Sequence, residues 1–95
     1  MNTTLKQAVN LIARRKDFKG NSLYAKTISN FYIVYSYGQH FPIAVYNLDS
    51  SMWYINTDKY SITTSRHQSI VRQALIGETV EQCTTEYLKN LLRGN

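Results

Sequence analysis

The sequence predicts an α+β domain, and three observations carry that prediction. Residues 22–56 hold aromatic and β-branched runs broken by short polar turns. The flanking segments repeat apolar residues at helical spacing, behind residues suited to capping. A chain of 95 residues fits one domain over 1–95, and one of this size buries roughly 60–65% of its unfolded surface. That is room for a modest core, not for a deep catalytic cavity as well.

The first helix is expected from about Thr4 to Arg15 or Lys16. Thr4 and Gln7 stand at capping-box spacing, and Leu5, Ala8, Val9 and Ile12 form one apolar face. The cluster Arg14-Arg15-Lys16 then falls in the last turn, at the negative end of the helix dipole. Gly20-Asn21 breaks the chain. Four strands follow. Ser22–Ile28 is a weak one, turned at Ser29-Asn30. Phe31–Tyr37 is the strongest, with Phe31, Ile33, Tyr35 and Tyr37 on one face and Tyr32, Val34 and Ser36 on the other. Gly38-Gln39-His40 turns the chain into Phe41–Tyr46, where Pro42 places that end at an edge or outside the pairing. A turn at Leu48–Ser51 leads into Met52–Asn56. Short links between strands imply an antiparallel meander.

Two helices close the chain. One is expected from about Ser65 to Leu75, with Ser65 and Gln68 as a capping box and Gly77 as its end. Thr79 and Gln82 repeat the spacing ahead of a helix to about Leu92, stopped by Gly94-Asn95. The expected order is α-β-β-β-β-α-α: a four-stranded antiparallel meander with one N-terminal and two C-terminal helices.

Composition narrows the function. Hydrophobic residues make up 43% and aromatics 13%, and eight of the aromatics are Tyr, which suits a folded domain with polar tips at a surface or interface. Cys83 is the single cysteine, so no intramolecular disulfide forms. That points to a reducing compartment, the cytoplasm. The start has no basic segment followed by an apolar run, and no stretch is apolar enough for a membrane span.

The net charge of +5 is unevenly placed. Residues 1–20 carry Lys6, Arg14, Arg15, Lys16 and Lys19 against Asp17, a net +4, whereas residues 21–64 are neutral. Phe31–Asn56 contains no Lys or Arg. The basic patch and the aromatic strands are therefore expected to be separable sites.

Few residues offer chemistry. Lys59-Tyr60-Ser61 through Thr63-Thr64-Ser65-Arg66-His67-Gln68 crowds hydroxyls, a cation and an imidazole at a strand-to-helix junction. Free N–H groups at a helix N-terminus, with Ser65 and Arg66, can hold an anion, but ordinary capping uses the same hydroxyls. Ser65 and His67, two apart on a helix, do not face each other as a nucleophile and base must. His67 lies on the apolar helix face and reads as a core histidine. His40, His67 and Cys83 are widely spaced and one short of a tetrahedral metal set. The glycines form no phosphate loop. No catalytic residue, metal or cofactor is expected, and the chain reads as a binding module rather than an enzyme.

Two kinds of partner fit. Tyr32, Tyr35, Tyr37, Tyr46, Trp53 and Tyr54 would anchor a protein partner if helices covered only one sheet face. Arg14, Arg15, Lys16 and Lys19, with Ser65 and Arg66, would contact nucleic acid or another anion. Nothing in the pattern fixes the oligomeric state.

The segments Tyr35-Ser36-Tyr37-Gly38, Pro42-Ile43-Ala44, Trp53-Tyr54, Lys59-Tyr60-Ser61, Thr63-Thr64-Ser65, His67-Gln68, Val71-Arg72 and Ala74-Leu75 resemble a family of small uncharacterised proteins of bacteriophages and mobile elements. The resemblance spans roughly residues 20–76. It implies an accessory protein that occupies a host protein, for example a restriction or CRISPR defence component. It implies no activity of its own.

Overall fold

The structure, a computed structural model, describes residues 4–20, 22–36, 41–58 and 62–93. The elements are α1 (Leu5–Ala13), β1 (Phe18–Lys19), β2 (Leu23–Ile28), β3 (Phe31–Ser36), β4 (Pro42–Asn47), β5 (Met52–Asn56), α2 (Ile62–Ala74), β6 (Val80–Cys83) and α3 (Thr85–Arg93). They form one six-stranded sheet in the order β1-β2-β3-β4-β5-β6. The domain is α+β, but the sheet is mixed: β1 to β5 pair antiparallel, whereas β6 runs parallel to β5.

Two strands correct the expected four-stranded meander. Phe18-Lys19 pairs with Ala25 and Tyr24; two residues are too short to show a period of two. Val80–Cys83 was expected inside the last helix and is a strand instead. It fills the edge that β5 would otherwise leave open, with Val80 opposite Trp53 and Cys83 opposite Asn56. The Thr79–Gln82 capping box therefore does not form. Thr84 caps α3, its Oγ1 accepting from the Tyr87 N–H at 3.1 Å.

The first helix keeps its start and loses its tail. The Thr4–Gln7 capping box is formed in both directions, at 3.0 and 3.2 Å. The helix ends at Ala13, so Arg14-Arg15-Lys16 lies just beyond the last turn. Arg15 sits at φ +54°, the Arg15 N–H donates to Ile12 O, and the Lys16 N–H donates to Leu11 O. That is a Schellman end with arginine where glycine is usual.

The second helix starts at Ile62, a turn earlier than expected. Ser65 is its fourth residue, and the Ser65–Gln68 box is absent. The Gln68 side chain instead donates to Asn56 O and Asp58 O, both at 2.8 Å. Gly77, at φ +89°, reverses the chain after this helix. Pro42 is the first residue of an inner strand, where the missing N–H costs least. The register shifts beside it, between Val34 and Tyr35.

The expected alternation in the strongest strand holds for its described residues. Tyr32 and Val34 join one core cluster with Ala8 and Ile12 of α1 and Val71 and Leu75 of α2. Phe31, Ile33 and Tyr35 join a second with Leu88, Leu91 and Leu92 of α3. Helices thus lie on both faces, and every residue of β3 is buried. Tyr37, the turn Gly38-Gln39-His40, Lys59-Tyr60-Ser61, Asn21 and the stop Gly94-Asn95 lie outside the described residues.

Candidate functional site

With both faces covered, the aromatic candidates divide. Tyr32 and Trp53 are each 1% exposed and pack edge to face at 6.0 Å. The Tyr32 hydroxyl donates to Lys16 O at 2.7 Å, and its pKa is raised first by burial. These two residues are core, tied to the end of α1. Tyr46 is half-buried, with its ring against Trp53 at 5.1 Å. Arg15 lies over the Tyr46 ring at 4.6 Å. The basic cluster and the aromatic strands are therefore joined here, contrary to the separation expected from their spacing.

The remaining tyrosines approach the surface on the α3 face. Tyr54 is half-buried and tilted against Tyr87 of α3 at 5.9 Å. Tyr35 is buried beneath Tyr24, its cross-strand partner, and the rings stack at 5.1 Å. Burial raises the pKa of both Tyr24 and Tyr35. Tyr37 is outside the described residues.

Tyr24 borders a groove on the described surface. Asp17, Phe18, Lys19, Tyr24, Ala25 and Lys26 line it, and its volume is about 570 Å³. It wraps the outer edge of the sheet, where β1 covers only Ala25 and Tyr24 of β2. Beyond them Lys26, Thr27 and Ile28 are exposed, with no described strand outside them. Lys19 stands opposite Tyr24, and Lys26 opposite Ile33. Both cations therefore share the α3 face with the tyrosine stack. Asp17, the acid of this groove, accepts a hydrogen bond from the Thr27 hydroxyl at 2.7 Å. Arg14 and Lys16 are exposed nearby in the chain, at the end of α1.

This groove combines three properties: a strand edge with no described strand outside it, an aromatic wall and a positive rim. Lys26 and Tyr24 were not among the residues singled out from the sequence. The available cue was alternation, with Leu23 and Ala25 on the α1–α2 face and Tyr24 and Lys26 on the α3 face. A weak strand gave that cue little weight.

Ser65 and Arg66 occupy a different place. Both are exposed, one turn inside α2 rather than at its end, so the described residues do not assemble the expected anion pocket around them. Beside them lies a buried polar knot. His67 Nδ1 is 2.7 Å from Ser36 Oγ, and its Nε2 is 3.3 Å from Ser22 Oγ. Burial lowers the His67 pKa. The Ser36–His67 distance suits a nucleophile and base, but Ser36 is 0% exposed and its oxygen meets no substrate in this arrangement. Asn56 extends the knot, donating to Pro42 O at 2.9 Å and to Thr85 Oγ1 at 2.7 Å. The knot fastens β3, β4, β5, α2 and α3 together at one end of the sheet.

Among the described residues, no three His, Cys, Asp or Glu side chains group as a metal site requires. No helix is long and apolar enough to cross a membrane. No curated protein and no solved structure matches the chain. One family model matches residues 7–92, nearly the whole chain, and is described as a family of unknown function, DUF8033. The chain belongs to that family.

Proposed function

We propose that this protein is a non-enzymatic binding module whose β1–β2 edge docks an acidic, extended segment of a partner protein. The observation that carries this reading is the groove at that edge, lined by Lys19, Tyr24 and Lys26 beside the stretch 26–28, which has no described strand on its outer side. An open strand edge offers main-chain hydrogen bonds to an added strand, and alternate side chains supply specificity. Lysines on the rim favour an acidic segment and speed its encounter. The resemblance to mobile-element proteins supports a host protein as the partner and inhibition of a host defence system as the outcome.

Affinity capture from host lysate tests the reading when wild type is compared with K19E/K26E. A specific partner held by wild type and lost by the charge-reversed variant is the expected result. Equal capture by both proteins would remove the edge from the account.

Nucleic acid is the second reading, because Lys19 and Lys26 line the same groove as Tyr24, the pairing of cations with an aromatic ring that single strands use. It is the weaker one. Arg15 already covers Tyr46, and Tyr24 is stacked on Tyr35, so little ring face is left for bases. A mobility-shift series decides it: tight binding that weakens steeply with salt would favour nucleic acid.

A further inference from the structure

The two edges of the sheet carry opposite charge. β1 and the outer stretch of β2 bring Lys19 and Lys26, with Arg14 and Lys16 just before them in sequence. At the other end of the strand order, β6 contains Glu81 and follows Glu78, and both glutamates are exposed. Among the described residues, nothing pairs with the outer side of β1 or of β6.

The faces match as well. Glu81 stands opposite Tyr54, and Tyr54 belongs to the cluster under α3. Lys19 and Lys26 stand on that same face, opposite Tyr24 and Ile33. In a second copy that continues the sheet, Glu81 of β6 would therefore project on the same side as Lys19 and Lys26. The directions are compatible too. β6 runs with β5, β3 and β1, so an incoming β6 would lie parallel to β1 and antiparallel to the exposed stretch 26–28 of β2. Arg72, the cation lining the cleft beside β6, lies with Ile55, Leu75 and Val80, on the α2 face.

Lysines on an edge strand ordinarily discourage edge-to-edge pairing. Here they do so selectively. Two β1 edges repel each other through Lys19 and Lys26, and two β6 edges repel through Glu78 and Glu81. The unlike pairing is the one that charge favours.

We propose that the chain self-associates head to tail, the acidic β6 edge of one copy docking on the basic β1–β2 edge of the next. The proposal rests on the reading of the β1–β2 edge as a strand acceptor, and it adds that the chain's own β6 is such a strand. Pairing of this heterologous kind gives a ring or an open chain of copies rather than a closed two-fold dimer.

Sedimentation equilibrium tests the assembly, and a peptide titration tests the acceptor separately. Wild type is expected to gain mass with concentration at low ionic strength and to return to monomer at high salt. K19E/K26E alone and E78K/E81K alone are each expected to stay monomeric, and their equimolar mixture to associate again. All four positions are exposed, and circular dichroism verifies that the variants fold. A peptide of residues 78–84 with Cys83→Ser is expected to bind wild type and to bind K19E/K26E about tenfold or more weakly, as loss of two complementary charges implies. A wild-type chain that stays monomeric while the peptide binds would overturn the self-association and leave the acceptor reading standing. Failure of both would overturn the two together. Variants that associate as wild type does would also overturn the proposal.

Discussion

Arg15 shows how one residue serves two ends. Its φ of +54° costs a non-glycine residue about 1 kcal/mol, and its guanidinium recovers part of that over Tyr46. Arg15→Ala keeps the strained backbone and loses the ring contact. Arg15→Gly loses the same contact but relaxes the backbone, and is expected to be about 1 kcal/mol more stable than Arg15→Ala. Urea denaturation of the two variants measures the difference. His67 gives a pH-dependent expectation. Burial holds its pKa below the ordinary 6.5, so the folded state excludes a proton that the unfolded state takes up. Stability is then full above pH 6.5 and falls as pH drops below it, by at most about 1.4 kcal/mol per unit. Unfolding midpoints at descending pH should show this slope in wild type and a flatter profile in His67→Gln.

At the scale of elements, what could be read from sequence depended on whether local chemistry or a distant partner made the element. Thr4 and Gln7 are a local pair, and their capping box forms as the spacing implies. The alternation of β3 is also local, and its two faces part into two clusters as expected. The strand β6 is not local. Val80-Glu81-Gln82-Cys83 has no strand-specific period, and Thr79 and Gln82 imitate a helix start; the residues become a strand because the edge of β5 takes them up. Ser65 and Gln68 misled in the same way, since Gln68 is drawn off to the exit of β5. The basic–aromatic groove was hidden for a related reason: Lys19 and Tyr24 become neighbours only through the two-residue strand β1. The two candidate caps of the last helix can be told apart. Thr84→Ala removes the side-chain acceptor of the Tyr87 N–H and is expected to cost about 1 kcal/mol. Thr79→Ala should change stability by less than about 0.5 kcal/mol. Thermal melts of the two variants check the assignment.

Across the whole molecule, the buried core and the proposed docking rim fall on different parts of one sheet. Its middle is sealed by α1 and α2 on one side and α3 on the other, with Trp53 and Tyr32 fixed in the interior. Among the described residues no strand pairs with its rims, which carry Lys19 and Lys26 at β1–β2 and Glu78 and Glu81 at β6. Among the described tyrosines, Tyr32 and Tyr35 are buried in the packing, and Tyr24 lines the groove at the basic rim. The central claim is that this rim is where a partner strand docks. Amide chemical-shift mapping during titration with the 78–84 peptide carrying Cys83→Ser tests it most directly. The account predicts shifts concentrated at Phe18, Lys19, Tyr24 and Lys26–Ile28, lost in K19E/K26E. Shifts confined to the α1–α2 face, or none at any concentration, would contradict it.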